Sequence, residues 1–263
     1  MRRLFFSIVV ALSVSGALGA SDARAQVAPK AADAGPAVDV DRIVRAFTAK
    51  ETQFRKALNG YTFTRDATIQ TIGFGGQITG EYNRVSAFTF NDAGERFERI
   101  TRFPVPTLTE ISFTNEDLED LGGVQPFALE ASKINLYNFT YAGREKVDEL
   151  DTYVFDVAPK VTPKKVSERF FQGRVWVDAA DLQIVKVKGK GVPEGKQRFP
   201  TFETYREQID GKYWFPTYTY ADDQLVFPGG QTVHVRMKVR YADYKLFKGR
   251  VRVIEEGEPG ETP

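Results

Sequence analysis

Residues 173–190, GRVWVDAADLQIVKVKGK, predict a β-hairpin. Val175 and Val177 lie on one face before the turn, and Val185 and Val187 are expected to continue that face after it. Alternation with a period of two is typical of strands that cover a core on one side only. The turn contains two aspartates, which bond their own backbone and tolerate tight geometry.

The other face of the second strand carries Lys186, Lys188 and Lys190. A solvated sheet face explains such a row. A docking surface for anionic lipid or an acidic partner is the alternative, and the pattern leaves both open.

The same alternation recurs through most of the chain and predicts one large, curved, antiparallel sheet in a mainly β, α+β fold. Strands are expected at 61–72, 77–90, 95–103, 134–146, 152–158, 167–178, 182–190, 202–209, 212–221 and 232–246. Asp210-Gly211 between two of them is a strong hairpin signal.

The strongest helix signal covers residues 40–58, where Ile43, Val44, Phe47 and Phe54 fall on one face. The opposite face is charged. Because a helix of this kind is stable only when its apolar stripe is packed, we expect it to lie on the sheet.

The N-terminal segment of the chain has the features of an export signal. Residues 1–25 resemble a secretory signal peptide with a cleavage site near Ala25, and an uncleaved anchor is the alternative. A flexible linker is expected at 26–39, the folded domain at 40–250 and a disordered tail at 251–263. Within the domain, 104–133 breaks the strand pattern and predicts a short helical insertion over one end of the sheet.

Composition excludes several chemistries. The 263 residues contain no cysteine, which removes disulfides, thiolate catalysis and Cys-based metal sites and suits a bacterial periplasm. The one histidine, His234, is interpreted as an exposed strand residue. With 36 basic and 35 acidic residues, no basic field exists to hold nucleic acid.

No cofactor motif is found, and we expect a protein that is not an enzyme. A hydrolase that uses paired carboxylates, with Glu203 and Glu207 as candidates, is the minor alternative. One helix covers only part of a sheet of roughly nine or ten strands. The curl of the sheet, the insertion or a ligand must therefore fill the remaining apolar area.

Five stretches carry a resemblance to a known family: the 40–58 helix followed by Tyr61, FTNEDLEDLGG at 113–123, the 173–190 hairpin, IDGKYWFPTYTYADD at 209–223 and VRYADYKLF at 239–247. This order resembles the periplasmic lipoprotein-sorting (LolA/LolB-like) superfamily, over nearly all of residues 40–247. The hairpin and the DGKYWFP strand look most like its outer-membrane lipoprotein-sorting branch.

The resemblance implies an unclosed β-barrel whose concave face, lidded by helices, shelters acyl chains of lipids or lipoproteins. Ile43, Val44, Phe47 and Phe54 would face inward from the lid helix. The expected cavity lining is Tyr82, Phe88, Tyr153, Phe155, Val157, Val175, Val177, Val185, Val187, Val233, Val235, Met237 and Val239.

The same superfamily includes sensor and regulatory domains, so a periplasmic sensor or scaffold that binds an envelope protein is the alternative. In either role the protein is expected to be a monomer. As a carrier it would also meet a transport partner at the inner or outer membrane.

Overall fold

The structure is a computed structural model that describes residues 38–111, 129–165, 169–194 and 198–247. From Asp39 onward these residues form one compact unit. The expected signal peptide, most of the linker, residues 112–128 of the expected insertion and the C-terminal tail lie outside the described residues. No helix in the described part of the chain has the length and apolar character needed to cross a membrane.

One α-helix and ten strands make up the described fold. The helix α1 spans Val40–Leu58, and the strands are β1 (Tyr61–Ile72), β2 (Ile78–Phe90), β3 (Arg96–Arg102), β4 (Tyr137–Val147), β5 (Leu150–Pro159), β6 (Phe170–Asp178), β7 (Ile184–Val192), β8 (Phe202–Ile209), β9 (Tyr213–Val226) and β10 (Thr232–Leu246). A short 3₁₀ helix, Ala131–Leu136, leads into β4.

All ten strands belong to one antiparallel sheet in the order β3-β2-β1-β10-β9-β8-β7-β6-β5-β4. The first strand therefore pairs with the last in the interior of the sheet, as its third and fourth strands from the β3 edge. The edge strands β3 and β4 follow one another along the chain but do not pair, so the barrel is not closed. This confirms the predicted fold class.

Asp39 caps the start of α1, since its carboxylate accepts a 3.0 Å hydrogen bond from the backbone N–H of Arg42. Along the helix the apolar stripe is buried, whereas Arg42, Arg45 and Arg55 stay exposed. Burial of this stripe against the sheet stabilises a helix that would be marginal alone.

The hairpin of β6 and β7 differs from its prediction at one residue. A bulge between Trp176 and Val177 places Val177 opposite Ile184 and Trp176 opposite Lys186. Val185 is the extra residue, and it packs with Val154 and Trp176 on the face that carries the lysines. Because one extra residue reverses the alternation, Val185 does not share a face with Val187.

Candidate functional site

The helix α1 lies across the concave face of the sheet. Near its middle, the Phe47 ring is 5.7 Å from the ring of Phe139 and 5.6 Å from that of Phe155, on β4 and β5. Further along, the Phe54 ring is 5.7 Å from that of Phe215 on β9. Ile43 and Val44 are also buried. All four side chains expected on the inner face of the helix therefore lie against the protein interior.

Beneath the N-terminal half of α1 is what we call the aliphatic end, formed by the buried side chains of Phe155, Val157, Val175, Val177 and Ile184. Cross-strand pairing brings them to one face, since Phe155 lies opposite Val175 and Val177 lies opposite Ile184.

Beneath the C-terminal half of α1 lies an aromatic centre. Phe54 and Leu58 of the helix cluster with Tyr61, Phe63, Phe88 and Phe215 of the sheet. The rings of Phe63 and Phe88 stack with centroids 4.4 Å apart. Large rings give this part of the face much apolar area with few rotatable bonds.

A far cluster continues the apolar face: Ile69, Tyr82, Leu225, Val233 and Val235, with the partly buried Met237 against them. Leu108 and Ile111, which follow β3, also pack on this cluster. The start of the insertion therefore covers sheet residues here, as the sequence suggested for one end of the sheet.

The remaining predicted lining residues are less uniform. Val239 is buried and Val187 is half-buried. Tyr153 is half-buried, and its hydroxyl accepts a 2.9 Å hydrogen bond from the Arg144 guanidinium. The structure thus places the predicted lining on the concave side in several clusters, apart from Val185.

Sequence reasoning missed the charged groups on this face. The Arg206 guanidinium of β8 donates bonds of 2.6 and 3.1 Å to the Glu51 carboxylate of α1, and both side chains are almost fully buried. Glu51 is spaced four residues from Phe47 and three from Phe54. The sequence signal for a buried ion pair was therefore the charge of Glu51 on the apolar stripe of α1. Its partner, Arg206, lies 155 residues away and could not be identified from that signal.

A second polar group, here called the arginine cluster, consists of Arg65, Arg84 and Glu98. The carboxylate of Glu98 accepts one bond from Arg65 at 2.8 Å and one from Arg84 at 2.5 Å. Arg65 occupies the apolar phase of β1 between Phe63 and Ala67, which was again a visible signal. Burial lowers the pKa of Arg65, although Tyr241 and Glu98 partly oppose this.

The lysine face carries paired charges. Lys186 and Lys188 both reach Glu203, at 3.1 and 2.7 Å, and Lys190 reaches Glu194 at 3.0 Å. Hydrogen bonding from Lys188, and then from Lys186 and Tyr205, lowers the pKa of Glu203 to about 2 despite partial burial.

Beside these lysines is an open groove of about 480 Å³ on the outer face of β4–β7. Arg174, Lys188 and Lys190 line it, together with Asp156. The positive charge of the groove is partly neutralised, because Arg174 donates a 2.8 Å hydrogen bond to the Asp156 carboxylate.

The residues considered for catalysis lie in different surroundings. Glu203 stays ionised and cannot act as a general acid near neutral pH, and Glu207 is exposed, with Thr217 as a hydrogen-bond donor. His234 is half-buried and makes a short contact to Asp222, which also accepts a bond from Arg236. Among the described residues, no group of three or more potential metal ligands is found.

Comparison with known proteins gives structural matches alone. No protein-family model and no curated protein matches the chain. It is similar to the crystal structure of a DUF1329 family protein from Desulfovibrio piger, with 15% identity and a TM-score of 0.40 over 79% of this chain and 94% of that one.

Two further structures are similar to a lower degree. A LolA superfamily protein from Nitrosomonas europaea has 15% identity and a TM-score of 0.34, over 76% of this chain and 94% of that one. A putative outer membrane lipoprotein-sorting protein domain from Vibrio parahaemolyticus has 14% identity and a TM-score of 0.34, over 78% and 94%. The lipoprotein-sorting proteins that the sequence resembles are therefore among the structures to which this chain is similar.

Proposed function

We propose that the protein is a non-enzymatic periplasmic carrier that shelters an acyl chain on the concave face, in the space that α1 covers. The observation that supports this is the form of the cover. One helix of 19 residues lies across aromatic and aliphatic side chains contributed by most of the sheet.

The free energy gained by burying the apolar side chains of α1 is comparable to that gained by burying an acyl chain. Ile43, Val44, Phe47, Phe54 and Leu58 are buried by the contact of α1 with the sheet, at roughly 1.5–3 kcal/mol for each side chain. An acyl chain gains ~0.8 kcal/mol for each buried CH₂ group, so about a dozen carbons gain roughly 10 kcal/mol. An acyl chain can therefore replace α1 on the face without being trapped there.

The test uses the absence of cysteine in the natural chain. Thr52 of α1 lies next to Ala131, since its hydroxyl accepts a 3.1 Å hydrogen bond from the Ala131 backbone N–H. The double variant Thr52→Cys, Ala131→Cys should form a disulfide that ties α1 to the segment before β4.

Binding of a fluorescent acyl probe should be lost in the oxidised double variant and return on reduction. Each single cysteine variant is a matched control that should bind in both conditions. If the oxidised variant binds as well as the reduced one, α1 is not a lid. If the wild-type protein binds no acyl probe and carries no lipid in native mass spectrometry, the carrier function is wrong.

The groove on the outer face of β4–β7 supports the second candidate, a scaffold that binds an envelope protein. It is open, and Arg174, Lys188 and Lys190 offer donors to an acidic segment. Crosslinking in cells should capture one specific partner. Replacing Lys186, Lys188 and Lys190 by glutamine should reduce that capture, and unchanged capture would contradict this docking surface.

A further inference from the structure

The arginine cluster contains buried donors without partners. The Arg65 side chain has no exposed surface, and among its nitrogens Nη2 alone is paired, to Glu98. Its Nε and Nη1 atoms have no hydrogen-bond partner. Since Nε carries one N–H group and Nη1 carries two, three of the five donors of this guanidinium are unsatisfied.

Two neighbours on the same face are also unsatisfied. Ser86 lies directly opposite Arg65 on β2, is fully buried, and has no partner for its hydroxyl oxygen. Arg84 is two residues away on the same strand, and its Nε is buried without a partner. Buried polar atoms in folded proteins are rarely left unpaired, and here they are neighbours.

The charges around this point do not balance. Arg65 and Arg84 share the single carboxylate of Glu98. Arg96 adds a third cation on this face, where its guanidinium lies 5.8 Å from the Phe63 ring and donates to the carbonyl of Leu58. These four side chains therefore comprise three cations and one anion.

Apolar surface adjoins these donors. The guanidinium carbon of Arg65 lies 5.0 Å from the centre of the Phe88 ring, and Phe88 stacks on Phe63 in the aromatic centre. A group that accepts hydrogen bonds from Arg65 and Ser86 would have its attached chain against these rings, in the space that α1 covers.

We propose that Arg65 and Ser86, with Arg84, form a site for a carboxylate or phosphate group carried on the sheltered acyl chain. The proposal rests on the carrier function proposed above and adds the chemical class of the ligand: an anionic amphiphile bound with its charged group inside. An oxyanion offers several acceptor oxygens to the unpaired donors and balances the excess positive charge. In the ligand-free protein the unpaired buried donors are destabilising, and hydrogen bonds to the bound oxyanion remove this free-energy penalty.

The experiment compares dodecyl phosphate, dodecanol and inorganic phosphate as ligands of the full chain by isothermal titration calorimetry. Dodecyl phosphate should bind about ten- to a hundredfold more tightly than dodecanol, the range expected for charge-assisted hydrogen bonds. In Arg65→Met this preference should fall to about onefold, while dodecanol binding stays unchanged. Arg99→Met, an exposed arginine on the outer face of β3, is the matched control and should keep the preference.

Two further variants protect the test against misfolding. Arg65→Lys keeps the charge but not the planar set of donors, so its preference should be intermediate. Ser86→Ala should reduce the preference in the same direction by a smaller factor. If Arg65→Met fails to fold, these two variants decide the result, since unchanged preference in both would overturn the site.

The possible outcomes separate the two proposals. Equal binding of dodecyl phosphate and dodecanol to the wild-type protein would overturn the anion site and leave the carrier function intact. If phosphate alone binds as tightly as dodecyl phosphate, in an Arg65-dependent way, and dodecanol does not bind, the site accepts a free oxyanion and the carrier function is wrong. If nothing binds, both are wrong.

Discussion

The aliphatic end and the neighbouring pair Arg65 and Ser86 are built by the same sheet and are buried to the same degree, yet they differ in kind. At the aliphatic end, Phe155 and Val175 are fully buried and contain no polar side-chain atom to satisfy. Arg65 of the arginine cluster and Ser86 opposite it on β2 are equally buried and carry donors without partners. Burial alone therefore does not distinguish a structural core from a binding site, whereas the pairing of polar atoms does.

The largest expected effect belongs to the aliphatic end. Phe155→Ala removes a fully buried ring that contacts Phe47 of α1, and should lower the free energy of unfolding by about 4 kcal/mol. Urea denaturation followed by circular dichroism measures this. Phe97→Ala, at a position on β3 that is 44% exposed, is the control and should cost less than about 0.5 kcal/mol. A cost below about 1 kcal/mol for Phe155→Ala would show that this end is not a closed core.

The next effect concerns the ion pair between α1 and β8. Glu51→Ala leaves the Arg206 guanidinium buried without its carboxylate, and should destabilise the protein by about 3 kcal/mol. The double variant Glu51→Leu, Arg206→Met removes both charges and should recover at least half of that loss. Equal stability of the two variants would mean that the loss comes from packing and not from an unpaired charge.

A smaller effect is expected on the outer surface of the aliphatic end, where the folded-state pKa of Glu203 is about 2. Because this value lies below the ordinary pKa of about 4.3, the ion pairs stabilise the fold fully above about pH 5. That contribution is lost as the pH falls towards 2. Allowing for solvent screening, the wild-type protein should lose about 1 kcal/mol more between pH 5 and pH 2 than Glu203→Gln.

Urea denaturation at several pH values checks this difference. Glu207→Gln changes an exposed carboxylate on the same strand and should follow the wild-type profile. Parallel profiles for wild type and Glu203→Gln would show that Lys186 and Lys188 do not stabilise the fold through this carboxylate.

The smallest change in the free energy of unfolding is expected for Arg65→Met. It gives the sharpest contrast with Phe155→Ala. Glu98 keeps its bond to Arg84, so the substitution leaves no carboxylate unpaired and removes donors that had no partners. Stability should stay within about 1 kcal/mol of wild type in either direction, although the residue is as buried as Phe155. A loss as large as that of Phe155→Ala would show that Arg65 stabilises the fold.

Alternation and spacing predicted most of this fold. The bounds of α1, β1, β8 and β10 agree with those expected, and the remaining described strands are shifted by a few residues, β9 extending five residues further. These elements could be predicted because in each of them apolar residues recur with the period of a strand or a helix, on the face that packs against the core. Val185 was misplaced because a bulge changes the phase, and nothing in a run of valines and lysines marks where the extra residue falls.

The candidate site was only partly predictable. The apolar lining follows from the same periodicity, and Arg65 and Glu51 were visible as charges in apolar positions. Their partners were not, since Arg65 pairs with Glu98 across three strands and Glu51 with Arg206 from a distant strand. Only the strand order brings these residues together, and that order depends on long-range pairing, which a single sequence does not reveal.

The pairing of β1 with β10 also determines when the protein can fold. Thr62 and Lys245, which are hydrogen-bonded across these strands, lie 183 residues apart, so the last described strand joins the two parts of the sheet. Contacts this distant form slowly, because a long loop must close before they are made. A chain that emerges N-terminus first therefore leaves β1 with one open edge until its end arrives. During that interval it needs protection from pairing with other chains.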